Sequence, residues 1–417
     1  MSKKTFQVVP HIVQVDIIGC GGGTSPRVVV LRTDQGSYLF NCGEDTQRLL
    51  TSNGILISAR SIYFCFMPMC SASRRKGIQN VFITHNSWES TGGLIEEREK
   101  SVLHKVNIDA LNDEQFRSMF RFQREDMTRL SCALRLPTKV VCENRTVCSG
   151  MQGLCILIRR LAYPSRLEDL SHVFGRSKAE LSYICNTVLN LIDSEHGHLL
   201  ENLNQSWLAH NQLDEMVDSV RRCDAPLSNC WGFIDGTVRP ICRPQENQRL
   251  VFNGHKRIHG LKFQSIVTPN GMIAHLFGPI EGRGHDAGML RESGIETQMQ
   301  RYMTTQNNEV YSVYGDPAYP ISPYIIPPFR GGVITAQQMR FNKKMSAVRV
   351  SVEWTFGEVL SLFAFLDYKK NQKLYLQPVG KYYRVAAILT NCHTILYGSE
   401  TGKFFGLCPP TLDEYLS

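Results

Sequence analysis

Two aspartates of this chain stand where short apolar runs stop, and that placement limits the folds open to it. Asp235 follows Cys230–Ile234 in Trp-Gly-Phe-Ile-Asp-Gly-Thr, and Asp316 follows Val313-Tyr314-Gly315, with Pro317 ending strand pairing just beyond. Such runs read as buried strands, and a carboxylate at the end of one is held rigidly at the rim of a sheet. Two further acids belong with them. Asp286 opens a helix after Gly282-Arg283-Gly284, and Glu353 falls inside a long helix predicted over Ala336–Leu362. Acids from four separate elements must converge, and a mixed α/β layer fold fits the pattern of strands followed by helices. Once together they make a hard oxygen site suited to Mg²⁺ or Mn²⁺ and to phosphodiester chemistry. Taken alone, Asp286 reads equally well as a helix cap.

The texture of the chain divides it further. Residues 1–95 are β-rich: Phe6–Ile18 is extended, Arg27–Leu31 and Ser37–Asn41 form a hairpin pair, and Val81–Thr84 is another strand. A short helix is predicted over Glu44–Leu50. The charged run Glu96–Lys100 begins a linker over 96–109. From 110 to 225 apolar residues recur at three and four positions, through Met151–Leu161, Leu167–Phe174 and Leu181–Ile192, which predicts an all-α segment. From 226 to 417 strands alternate with helices again. The predicted strands are Cys230–Ile234, Gly260–Thr268, Gly271–Phe277 and Glu309–Tyr314, and the helices Asp286–Ser293, Ala336–Leu362 and Tyr382–Tyr397.

Inside the α segment, Leu167–Phe174 runs into Gly175, which can take positive φ and close a helix. Ser177 then caps a second helix, with Glu180 as its capping-box partner. This is the layout of a helix-turn-helix, which would turn Arg176, Lys178, Ser182 and Tyr183 toward a major groove. An ordinary helical hairpin has the same signature.

The formal net charge of +8 suits a polyanionic partner without requiring one. It matters where it clusters. Arg239, Arg243, Arg249, Lys256, Arg257 and Lys262 lie between the acids, and Arg340, Lys343, Lys344 and Arg349 precede Glu353. Cations on either side of a metal centre are what a phosphodiester backbone calls for. His255 and His259 are four apart, but with Lys256 and Arg257 between them a phosphate-contacting loop reads better than a zinc site. The 14 cysteines contain no Cys-x-x-Cys pair and no leader of the secretory kind is read, so reduced thiols in an intracellular, soluble protein are expected. The longest apolar run, near Ile62–Met69, is far below the ~20 residues that span a bilayer.

In combination, Phe-Ile-Asp-Gly-Thr (233–237), Asn-Gly-His-Lys-Arg-Ile-His (253–259), Gly-His-Asp-Ala-Gly-Met-Leu-Arg-Glu-Ser (284–293), Gly-Asp-Pro-Ala-Tyr-Pro (315–320) and Val-Glu-Trp-Thr-Phe-Gly (352–357) resemble the PIF/Harbinger class of DDE transposases and the nucleases derived from them. The resemblance covers about 110–417. It implies an RNase H-like core over 226–417, metal binding by Asp235, Asp286, Asp316 and Glu353, and catalysis by Asp235, Asp316 and Glu353 on DNA. It also implies a nuclear protein (the cytoplasm being the other possible place) that works with a separate Myb-like DNA-binding partner. Arg176, Lys178, Lys256, Arg257, Lys343, Lys344 and Arg349 are the expected nucleic-acid contacts. The other reading of the same motifs is a DNA-binding protein that no longer cleaves.

The first 95 residues resemble something else. Asp16–Thr24, Tyr38–Arg48 and Phe82–Leu94 look like the start of the amino-terminal half of a long-form tRNase Z, a metallo-β-lactamase fold. That implies tRNA 3′ processing as a third reading. The zinc chemistry is missing: of the needed histidines and aspartate only His85 stands in the stretch 85–90, beside Asn86, Ser87, Glu89 and Ser90. Ile62–Arg75 reads as an insertion, and a half-domain cut short this way is expected to pack loosely.

Overall fold

The computed structural model describes residues 108–417 apart from Gln306 and, before them, the backbone of five strands. The chain divides into two units, Met1–Val102 and Leu103–Ser417. In the first, β1 (Lys3–Val8), β2 (His11–Ile18), β3 (Val28–Thr33) and β4 (Gly36–Phe40) form an antiparallel meander, and β5 (Asn80–Phe82) adds parallel to β4. The hairpin predicted on either side of Asp34-Gln35-Gly36 is β3–β4, paired from Val29↔Phe40 to Thr33↔Gly36. The helix expected over Glu44–Leu50, the insertion at Ile62–Arg75, the His85 neighbourhood, the expectation of loose packing and residues 96–107 of the linker lie outside the described residues.

The second unit begins with helices and ends as a layered α/β structure. Its helical part is not all-α: β6 (Lys139–Val141) and β7 (Val147–Ser149) pair as a small hairpin. Each strand has a single buried centre, Val140 or Cys148, too short a stretch to show alternation in sequence. The helices Gly150–Ala162 and Lys178–His196 follow their apolar spacing and bury Leu154, Leu157, Leu181, Val188 and Leu189.

Five strands carry the larger sheet in the order β11-β10-β8-β12-β13: β8 is Cys230–Pro240, β10 Ile258–Val267, β11 Ile273–Glu281, β12 Ser312–Tyr314 and β13 Ile325–Ile326. The two-residue β9 (Phe252–Asn253) pairs the start of β10. β8, β10 and β11 are antiparallel neighbours, whereas β12 runs parallel to β8 and β13 parallel to β12. A parallel return needs a crossover, and the helices Asp286–Ser293 and Ile295–Tyr302 supply it between β11 and β12. A sheet of this order and polarity is consistent with an RNase H-like core.

One apolar cluster joins the helical part to the sheet. It contains Leu154, Leu157 and Leu189 together with Trp231, Phe263 and Ile266, bridged by Ala386 and Leu389 of the helix Val379–Tyr397. A second gathers Phe233, Val267 and Tyr314 against Met345, Val348, Val352 and Phe356. The predicted helix Ala336–Leu362 is two helices, Ala336–Arg349 and Ser351–Leu362, with Val350 between them. No helix among the described residues is long and apolar enough to cross a membrane. All ten described cysteines are free thiols.

Candidate active site

Asp235 does not end its strand. β8 continues to Pro240, with Asp235 opposite Ser265 of β10, and it is the neighbour β12 that stops, at Tyr314 beside Phe233. Gly315 and Asp316 follow, and Pro317, lacking an N–H, prevents further pairing. Among the described residues, β8 past Phe233 therefore has a paired strand on one side only, and Asp235 lies at the mouth of that opening. The parallel register sets Asp316 beside it. A Cβ on Gly315 would stand 2.9 Å from Ile234 Cγ2, so only glycine lets the chain turn off this closely against β8.

The turn after β12 is tied by Asp316 itself. Its Oδ1 accepts the Ala318 N–H at 2.8 Å and its carbonyl accepts the Tyr319 N–H at 3.2 Å. This brings Tyr319 back under the acids. Its ring is buried at 2% exposure, and its hydroxyl has no hydrogen-bond partner. Burial, then the charges of Asp286, Asp235 and Asp316, hold that hydroxyl well above the usual phenol range.

Asp286 arrives from the far side of β8, in the first turn of its helix. His285, not Asp286, is the N-cap residue. The Asp286 carboxylate lies over Gly236, where a Cβ would sit 2.9 Å from Oδ1. Lys262 of β10 holds it, with Nζ 2.7 Å from Asp286 Oδ1 and 3.0 Å from the Gly284 carbonyl. Arg349, the last residue of the helix Ala336–Arg349, sends Nη1 to within 3.2 Å of Asp235 Oδ2.

Asp235, Asp286 and Asp316 therefore feel one another's charge. The Asp235 carboxyl is pushed up to about 6, first by burial and then by Asp316 and Asp286, against the opposing pull of Arg349 and the Gly236 N–H. The structure brings these three predicted acids together. It does not bring in the fourth: Glu353 is exposed in the first turn of the helix Ser351–Leu362 and is not among the carboxylates acting on Asp235 or Tyr319. Among the described residues no three histidine, cysteine or acidic side chains are already arranged to hold a metal ion. The donors nevertheless suit one in kind, being carboxylate oxygens over an unpartnered buried hydroxyl.

The expected nucleic-acid contacts separate into exposed and structural ones. Lys256 and Arg257 are exposed at the tip of the β9–β10 hairpin, and Lys343 is exposed on the helix Ala336–Arg349. Lys344 pairs with Asp224 at 2.8 Å, and Arg349 with Asp235. The sequence spacing does indeed yield a helix, Leu167–Phe174, a left-handed Gly175 and a Ser177-capped second helix. Arg176, however, faces inward. It donates to the Val147 carbonyl and Gln152 Oε1 and pairs with Glu180, because the β6–β7 hairpin sits against this turn. Lys178 pairs with Glu168. Lys381, Tyr382 and Arg384 of the helix Val379–Tyr397 engage Asn190, Asn186 and Asp193, covering much of the second helix. Sequence reasoning missed the roles of Lys262 and Tyr319. The only signal for the latter was the tight turn that Asp316-Pro317 imposes three residues before it.

A sheet of this order, with acids gathered where β12 stops, is consistent with an RNase H-like frame. Residues 234–391 match the family described as DDE superfamily endonuclease. The chain is 19% identical to "Protein ALP1-like" of Arabidopsis thaliana over 301 residues, which are 68% of this chain and 71% of that protein. It is also similar to "Ribonuclease Z, mitochondrial" of Drosophila melanogaster, 36% identical over 94 residues, and to "Zinc phosphodiesterase ELAC protein 2" of Rattus norvegicus, 25% identical over 85 residues. These two matches cover 22% and 20% of this chain but only 10% and 8% of the relatives. No solved structure matches the chain.

Proposed function

We propose that the C-terminal unit is a divalent-metal-dependent endonuclease of transposase descent that acts on DNA phosphodiester bonds. The observation that carries this reading is the meeting of Asp235 and Asp316 at the edge of β8 where β12 stops, with Asp286 beside them. Asp235 and Asp316 would hold Mg²⁺ or Mn²⁺, and the ion would supply the Lewis acidity that activates a water or a 3′-hydroxyl. The protein's own part is positional. Burial and like charge make Asp235 a basic carboxylate, Arg349 counters that charge, and the Asp316 turn fixes the second acid on a rigid strand end. Lys256, Arg257 and Lys343 stand free to meet phosphates. A Myb-like partner and a nuclear location belong to the same proposal.

A reading without cleavage has one observation in its favour: Lys262 and Arg349 already neutralise two of the three aspartates. Supercoiled plasmid, incubated with the purified full chain and Mg²⁺ or Mn²⁺, separates the two. Nicking should appear and should fall about a hundredfold or more in Asp235→Asn and in Asp316→Asn, as loss of a metal-held nucleophile costs several kcal/mol. Nicking that survives both substitutions would refute the nuclease reading. Plasmid bound but never cut by the wild type would establish the silent one. For the tRNA-processing reading, the matched stretch is short and the residues of its metal motif lie outside the described ones.

A further inference from the structure

The two cations at this site are held very differently. Arg349 reaches Asp235 at 3.2 Å from a helix end, and its Nη1 has no hydrogen-bond partner. Its side chain is 22% exposed. Lys262 projects from the interior strand β10, opposite Val238, with a side chain only 9% exposed. Two of its three N–H donors are committed, to Asp286 Oδ1 and to the Gly284 carbonyl. The first is a cation that can swing away, and the second is built into the sheet.

We propose that Lys262 is the resident second cation of the acidic centre, holding Asp286 where a two-metal site would hold its second ion, so that this centre takes one divalent ion, through Asp235 and Asp316. The assignment rests on the metal-dependent reading above and changes its stoichiometry.

Three physical points lead to it. A buried ammonium stripped of its carboxylate is strongly disfavoured, so a metal at Asp286 would have to expel Lys262 from the sheet or lie against it, like charge to like charge. The Asp286 oxygen that lies over Gly236, Oδ1, already has a cation in contact, Lys262 Nζ at 2.7 Å. Charge balance agrees. The three clustered aspartates, Lys262 and Arg349 leave one net negative charge, which one divalent ion and one phosphodiester together neutralise. A second divalent ion would leave two positive charges in excess. The entering ion turns Arg349 from Asp235 toward the phosphodiester, still within the centre, and leaves the Lys262–Asp286 pair intact.

Titration calorimetry of Mn²⁺ into the full chain, with free Mn²⁺ followed by electron paramagnetic resonance, tests the assignment. The wild type should bind one ion at the site. Asp235→Asn and Asp316→Asn should weaken it about a hundredfold or more, whereas Asp286→Asn should weaken it by about tenfold or less, loss of a coordinating oxygen against loss of a neighbouring charge. Lys262→Met, which frees Asp286, should admit a second ion, and Lys262→Arg should not. Two site-bound ions in the wild type, or Asp286→Asn losing its ion as Asp235→Asn does, would overturn the role of Lys262 and leave the metal centre standing. If Lys262→Met fails to fold, the Asp286→Asn result decides alone. Mn²⁺ binding that is absent, or indifferent to Asp235→Asn and Asp316→Asn, would overturn the metal centre and the Lys262 assignment together.

Discussion

Asp235 is a carboxylate that the fold places where it is uncomfortable, and the same is true of Glu358. Glu358 lies on the helix Ser351–Leu362 and is pushed up to about 7, first by burial and then by Glu400, with the exposed Lys403 relieving it only in part. His393 Nδ1 lies 4.0 Å away but offers no cation at neutral pH, because burial and then Arg117 and Arg121 hold it down to about 4. An acid whose folded pKa exceeds its unfolded one binds more protons when folded, so its contribution to stability declines as pH rises between the two values. For Glu358 that window runs from the ordinary glutamate range up to about 7. Glu358→Gln should be neutral near pH 4 and more stable than wild type by about 1–3 kcal/mol at pH 8. Urea unfolding of both proteins at the two pH values measures it, and a stability difference independent of pH would contradict the linkage. Neither Glu358 nor Lys262 was legible in sequence as a special group. Both owe their state to residues far along the chain, whereas Asp235 and Asp316 announced themselves by the apolar runs before them.

Among the elements, the long helix ahead of Glu353 was legible in extent but not in its break. Helical spacing persists across 336–362, and Val350 itself keeps right-handed helical angles, so nothing local marks the division. The break sends Arg349 to Asp235 and leaves Glu353 outward. The capped turn at Gly175–Ser177 was fully legible, since caps are chemistry of adjacent residues. What Arg176 touches was not, because the β6–β7 hairpin that receives it is too short to declare itself. The edge of the large sheet shows a further long-range device. Asn391 of the helix Val379–Tyr397 accepts from the Ile273 N–H at 2.8 Å and donates to the Ile273 carbonyl at 2.9 Å, closing the start of β11. Asn391→Ala leaves both backbone groups buried and unpaired, and should cost about 2–4 kcal/mol, each such group being worth 1–3. Thermal unfolding checks this. A loss below about 0.5 kcal/mol, the range of ordinary surface substitutions, would mean the clasp is incidental.

In the second unit, the helical and α/β parts share one apolar core across Leu157, Trp231 and Leu389. Texture distinguishes 110–225 from 226–417 in sequence. The shared core is a property of packing, which spacing along one element does not reveal. The sheet's order could be argued only as far as its acids required. That β12 ends beside Phe233 while β8 runs on to Pro240 is what makes a site of the edge.

The claim on which the rest depends is that this edge holds a divalent ion between Asp235 and Asp316. A crystal of the full chain grown with Mn²⁺, measured for anomalous scattering, addresses it directly. The expected map has one Mn²⁺ peak in contact with both carboxylates while Lys262 stays against Asp286. A map with Mn²⁺ elsewhere and no peak at Asp235 and Asp316 would contradict it.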